Sequence, residues 1–211
     1  MDFLETVTNR QSIRKYSNYI PPVEDIKHVI DCARMAPSSH NKQMWHFVAI
    51  YNKNIIDKLC KAVENKYEEF KKLPEAADLS KKLEFSKKFS TFFNQAPVVI
   101  AVFMKPTSNT VQQILETRNT SRELIMRYRP GPDFQSLGAA IENLLLAATD
   151  KGYGACWCTA PIVAYEEMEK IIDFDPEYSL VALLPFGKPD TTIIHKQAQK
   201  KTLEEILTII E

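Results

Sequence analysis

Arg10-Gln-Ser-Ile-Arg14 and Ala36-Pro-Ser-Ser-His-Asn-Lys-Gln-Met-Trp45 are the two stretches whose joint reading decides what kind of fold this chain adopts. In an extended backbone, successive side chains alternate between faces, so Arg10, Ser12 and Arg14 share one side while Gln11 and Ile13 take the other. Two guanidiniums then flank a hydroxyl. Arg binds phosphate through planar, bidentate, charge-assisted bonds, which makes this trio a candidate anchor for a terminal phosphate. A solvated basic turn would have the same composition, so the first stretch alone leaves both readings open. The second stretch adds Ser38, Ser39, Asn41 and Gln43, uncharged groups that donate and accept, with Pro37 stiffening the entrance and Trp45 available as an apolar wall. Such a loop suits the edge of a polar heterocycle. It also suits an ordinary helix-to-strand connection, which prefers the same residues.

Working outward, Phe3, Leu4 and Val7 predict a short amphipathic helix that stops before the Arg10 strand, and Pro21-Pro22 lead into a second helix carrying Ile26, Val29, Ile30 and Ala33. His46 to Tyr51 reads as a strand and Asn54 to Lys72 as a long charged helix. Val98 to Met104 is apolar throughout, the pattern of a strand covered on both faces. Residues 105–133 form a less regular excursion with Arg118, Arg122, Arg127 and Arg129 around Tyr128. Those arginines read either as a solvated helix partnered by Glu116 and Glu123 or as a surface for an anionic substrate. Gly138 to Ala148 is an almost wholly apolar helix, to be covered either by a subunit partner or by the core of its own domain. Ala155 to Cys158 is a candidate strand, Tyr165 to Ile172 a short helix and Ser179 to Phe186 another buried strand. Leu203, Ile206, Leu207 and Ile210 predict a closing helix with one apolar face. Helices and strands mix without a strict βαβ repeat, which points to an α+β fold with helices around one mostly antiparallel central sheet.

A chain of 211 residues with 45% hydrophobic content is enough for a single domain, 1–211, with a real core. Its 27 basic and 27 acidic residues cancel, so the bulk field that draws proteins to nucleic acid or anionic membranes is missing. No apolar run approaches the roughly 20 residues that span a bilayer. The four cysteines, Cys32, Cys60, Cys156 and Cys158, do not form a disulfide framework, and no signal peptide precedes them, so a soluble protein of the reducing cytoplasm is expected. Cys156-x-Cys158 lacks the two-residue spacer of a redox dithiol or zinc knuckle, and His40 and His46 are poorly placed as ligands, so no metal is expected. The 5 glycines make neither a Rossmann fingerprint nor a Walker loop, which leaves side chains to hold any phosphate. No Ser-His-Asp set or carboxylate pair stands out. That gap suits a protein whose cofactor carries the bond-making.

These residues resemble the nitroreductase family of flavin enzymes, whose signatures are a basic-x-Ser-x-basic strand and a Pro-Ser-Ser-x-Asn-x-Gln-Pro-Trp loop. The likeness continues more weakly through Gly138 to Gly154 and the terminal Lys200-Lys201-Thr-Leu-Glu-Glu-Ile206, leaving out roughly residues 60–130. Met44 stands where the family usually has proline, and Lys200 and Lys201 where it tends to carry arginine. The resemblance implies a nitroreductase-like fold, FMN as cofactor, NAD(P)H as electron donor, and a homodimer with FMN at the interface. It implies phosphate contacts from Arg10 and Ser12, with Arg14 near the ribityl chain or pyrimidine edge. Pro37, Ser38, Ser39, Asn41 and Gln43 would come from the neighbouring subunit. Cys158, Thr159 and Ala160 would lie over the ring near N5, and Lys200 or Lys201 would close the phosphate site. No protein side chain is assigned as catalytic, since the chemistry sits at flavin N5. The implied activity is reduction of a small acceptor such as a nitroaromatic or quinone by a ping-pong mechanism. A dehalogenase or dehydrogenase of the same fold, a flavin-binding module without turnover, and a plain dimeric interaction protein remain as alternatives.

Overall fold

The computed structural model describes residues 1–194 and 198–211. Its helices are α1 (Phe3–Asn9), α2 (Val23–Ala33), α3 (Lys53–Lys71), α4 (Ser80–Thr91), α5 (Thr110–Thr117), α6 (Arg122–Tyr128), α7 (Pro132–Asp150) and α8 (Tyr165–Ile172). Its strands are β1 (Trp45–Ile50), β2 (Val98–Met104), β3 (Gly154–Ala155) and β4 (Ser179–Gly187). The sheet runs in the order β1-β2-β4-β3 and every ladder in it is antiparallel. The fold is therefore α+β, with helices around an antiparallel sheet.

β2 explains the layering. Val98, Ile100, Val102 and Met104 point into a core shared with α2 and α7, while Val99, Ala101 and Phe103 point into a second core shared with α3 and α8. Period-2 alternation delivers one strand to two cores, so all seven of its residues are buried. β4 does the same with Ala182, Leu184 and Phe186 on one side and Leu180 and Leu183 on the other. A register shift at Val102/Phe103 accommodates the change.

The cover for α7 comes from within the chain: Leu137, Ala140, Ile141, Leu144, Leu145 and Ala148 pack in the first core with Ile26 and Val29 of α2. Residues 105–133 form α5 and α6, a helical excursion joined to β2 on one side and α7 on the other. Among the described residues, no helix is long and apolar enough to cross a membrane.

The structure corrects three expectations. Arg10 to Arg14 is extended but does not join the sheet as a strand; Ser12 makes a single parallel bridge to Ala155. The strand expected over Ala155 to Cys158 is shorter, since only Gly154–Ala155 pairs as a strand and Cys158 bridges Leu183 separately. Residues 203–210 do not form a helix beyond one turn, and Leu203, Ile206, Leu207 and Ile210 are all exposed. A helix that short is marginal in water without a surface to bury its apolar stripe, and among the described residues none provides one.

Candidate functional site

The Arg10 segment is held by packing rather than by a ladder. Ile13 is buried directly over Gly154, where an added Cβ would stand 2.4 Å from the Ile13 side chain, so only glycine admits this approach. The Ile13 N–H donates to the Ala155 carbonyl at 3.1 Å, and the Ser17 N–H to that of Lys188 at 2.9 Å. The Tyr16 hydroxyl lies 2.6 Å from the Ile13 carbonyl oxygen and 3.0 Å from that of Pro185, tying the segment to β4. Burial and the neighbouring Cys156 and Cys158 raise the Tyr16 pKa well above its usual value, so it stays a neutral donor.

With Ile13 pinned inward, Ser12 and Arg14 face outward on the same side, as alternation predicts. Arg10 points its Nε at the Glu142 carboxylate of α7, 3.4 Å away. The Arg14 guanidinium lies over Phe89, 5.1 Å from the ring centroid, and beside Phe92 at 5.9 Å. Beneath this pair sits the buried Cys156 thiol. A hydrogen bond from Cys158 and the Arg14 charge, with further help from the Ser12 hydroxyl, outweigh burial and pull the Cys156 pKa down to about 6. Cys158 moves the other way, because its neighbour takes the negative charge. Its thiol lies 3.5 Å from the Cys156 carbonyl oxygen, and its backbone exchanges bonds with Leu183 at 3.0 and 2.9 Å. Trp157, between the two thiols, turns outward against α7, where a Cβ on Gly138 would come within 3.3 Å of its ring. Thr159 follows on the surface and Ala160 opens a short turn of helix over Ala160–Ala164.

The second motif lies against the start of the same α7 helix. The Ser39 N–H donates to the Ser136 hydroxyl at 3.1 Å, and the Gln43 N–H to the Ser38 hydroxyl at 3.0 Å. His40, Asn41 and Gln43 have φ values of 53, 52 and 44°, the left-handed region that only glycine enters freely. Such strain persists where the surroundings impose it and is concentrated at functional loops. Pro37, Ser38 and Ser39 border a 320 Å³ cavity with Pro132, Gln135 and Ala139. Met44, at the departure from the motif, is buried in the core and leaves the polar groups of the loop outside. Contacts of the loop and of Arg10 with α7, at Ser136 and Glu142, are six residues apart, about 9 Å of helix rise.

Lys200 and Lys201 are exposed and, among the described residues, take part in no ion pair, so nothing joins them to Arg10 or Ser12 within this chain. His46 stacks on Phe174 with ring centroids 4.3 Å apart. Of the excursion arginines, Arg129 braces the local structure. It donates to the Thr107 carbonyl at 3.1 Å and to Gln112, and it approaches Asp133 at 3.9 Å. Beneath it a 590 Å³ cavity is lined by Met104, Thr107, Glu116, Arg122, Met126 and Phe134. No group of three metal-ligating side chains occurs among the described residues. Sequence reading missed Phe89, Phe92 and the role of Cys156. No sequence signal links the phenylalanines to Arg14, whereas Cys156 next to a candidate ring-binding stretch was open to notice.

Known proteins share this fold. A BluB-like flavoprotein from Clostridium difficile 630 is 35% identical, with 100% of both chains covered and a TM-score of 0.89. A nitroreductase with bound FMN from Bacteroides fragilis NCTC 9343 shares the fold at a TM-score of 0.73 and 21% identity, over 100% of each chain. An iodotyrosine deiodinase from Thermotoga neapolitana is 28% identical over 186 residues, 86% of this chain and 85% of that protein. A family model described as Nitroreductase family matches residues 7–188, and with most of its length so matched the chain belongs to the nitroreductase family.

Proposed function

We propose that this protein is an FMN-dependent oxidoreductase that accepts a hydride from NAD(P)H and reduces a small acceptor such as a nitroaromatic or quinone. The observation that carries the reading is the side-by-side arrangement of Ser12 and Arg14, the latter without a carboxylate partner among the described residues, above the buried Cys156. The donor set fits FMN. Two guanidiniums and a hydroxyl suit a phosphate and an anionic ring edge, and a loop rich in uncharged donors suits a heterocycle. When bound, the flavin supplies two-electron chemistry at N5, which explains why no nucleophile or acid-base pair is needed.

Each residue then has a binding or orienting role. Arg10 and Ser12 hold the phosphate, for which Arg10 must loosen its contact with Glu142. At 3.4 Å and with the carboxylate half exposed, that pair is worth about 1 kcal/mol, less than a charge-assisted phosphate bond, so the exchange is favourable. Arg14 stabilises negative charge on the reduced ring. Cys158, Thr159 and Ala160 border the ring near N5, and Lys200 or Lys201 closes the phosphate site.

A second copy of the chain completes the site in this reading. Phe3 and Leu4 of α1 are 79% and 73% exposed, and the apolar residues of 203–210 are exposed as well. A monomer has little reason to leave so many large side chains wet. A homodimer covers them and brings Pro37, Ser38, Ser39, Asn41 and Gln43 of one subunit to the flavin of the other.

The test is direct. Purified protein should be yellow, bleach anaerobically with NADH or NADPH, and recover its colour with a quinone or nitroaromatic. Colour without bleaching supports a binding module, and colourless protein that cannot be reconstituted sinks the proposal. The deiodinase relative favours one second reading, reductive dehalogenation. Iodide release from an iodotyrosine by the reduced protein, without turnover of quinones, would select it.

A further inference from the structure

Arg10 and Arg14 are oriented by different chemistry. Arg10 rests on the Glu142 carboxylate, so part of its charge is already neutralised before any ligand arrives. Arg14 rests on rings. Its guanidinium lies 5.1 Å from the Phe89 centroid and 5.9 Å from that of Phe92, two rings that meet at 60° with centroids 6.0 Å apart. Phe85 backs Phe89 in a stack at 6.4 Å and 17°. The next residue, Lys15, donates to Gln95 at 2.8 Å, so the end of the cationic segment and the chain after α4 are tied twice. An aromatic face attracts a cation through its quadrupole without cancelling its charge. The rings therefore hold the guanidinium in place without neutralising it, and the anion it meets within the chain is the Cys156 thiolate beneath it.

We infer that Phe89 and Phe92 form an aromatic bracket that positions Arg14 against the bound flavin. This rests on the flavin reading above. It also gives a role to residues 80–95, which the sequence motifs do not touch. The bracket acts through Arg14 rather than by touching the flavin. Replacing Phe89 by leucine keeps an apolar side chain but removes the quadrupole, letting the guanidinium turn toward water.

The experiment uses full-length protein reconstituted with FMN and measures the FMN dissociation constant and the midpoint potential of the bound flavin. Four variants are compared with the parent: Phe89→Leu, Phe89→Tyr, Arg14→Met and the Phe89→Leu/Arg14→Met double. Phe89→Leu should weaken FMN binding about three- to tenfold and move the potential to a more negative value, since a displaced cation no longer favours the reduced anion. Phe89→Tyr, which keeps the ring, should restore both. On the Arg14→Met background, Phe89→Leu should change neither. An equal effect of Phe89→Leu with and without Arg14 overturns the bracket. So does a Phe89→Leu protein that matches the parent while Arg14→Met is impaired. Should Arg14→Met itself bind and poise FMN as the parent does, Arg14 has no flavin role and the inference falls with that assignment. If Phe89→Leu does not fold, Phe92→Leu carries the same test from the other ring.

Discussion

Arg10 to Tyr16 and Pro37 to Gln43 both turn polar groups outward beside α7, yet their backbones are held by opposite means. The first is relaxed and clamped by its neighbours: Ile13 over Gly154, Tyr16 between two carbonyl oxygens, and a bridge from Ser12 to Ala155. The second is strained, with His40, Asn41 and Gln43 all at positive φ, and its bonds to Ser38 within the loop and to Ser136 of α7 hold it in that shape. A clamped segment can present charge at a fixed point in its own chain. A strained loop offers a preformed set of donors to something outside it, as the proposed site shared between subunits requires.

The strongest way to break the clamped half is at its charge. Arg10→Ala should weaken FMN binding about a hundredfold or more, since it leaves phosphate charge without its bidentate partner, whereas Ser12→Ala should cost about 1–2 kcal/mol for one lost bond. Flavin release by ultrafiltration measures both, and retention equal to the parent in both variants would remove the phosphate assignment. Next is the clamp itself. Gly154→Ala sets a Cβ against Ile13 at 2.4 Å, and the forced shift should cost about 1–3 kcal/mol of stability. A thermal melt of the variant checks this. Loss of flavin should accompany the loss of stability, because Ser12 moves with Ile13.

The opposite sign is expected in the strained half. His40, at φ 53°, should accept glycine with a gain of up to about 1 kcal/mol, the released strain being partly offset by a freer unfolded chain. The same His40→Gly change should weaken flavin binding by loosening Ser39 and Asn41. Denaturant titration and FMN affinity moving in opposite directions would separate preorganisation from mere stability.

These contrasts mark where the sequence could be read. β2 and β4 were legible because an apolar run of strand length has few other uses, and α8 because its periodicity and length agree. The Arg10, Ser12 and Arg14 face followed from alternation, which needs no tertiary knowledge. The expected closing helix is absent: periodicity reports an apolar stripe but not the surface that buries it, and among the described residues nothing covers 203–210. Phe89 and Phe92 were invisible for a related reason. They meet Arg14 only because α4 and the turn after it come back against the Arg10 segment, a long-range contact that no local pattern encodes.

The smallest effect sharpens the comparison from beneath the clamped segment. Cys156 ionises at about 6 in the folded protein against an ordinary value of 9.0, so between those values the unfolded chain binds the extra proton. Its contribution to stability is therefore fully present above the unfolded value, and it is lost as pH falls through about 6. Cys158 is raised and works in the opposite sense, favouring the fold below 9.0 and losing that contribution at more alkaline pH. Stability should thus rise from about pH 6 toward 9 and then turn over, and Cys156→Ser should flatten the rising limb. Ultraviolet thiolate absorbance should report one group titrating near 6 in the parent. Arg14→Met should shift that titration upward, because the guanidinium that the rings leave uncancelled is one of the charges holding the thiolate. An unmoved titration would mean that Cys158 and Ser12 alone stabilise the anion, and that Arg14 spends its charge elsewhere.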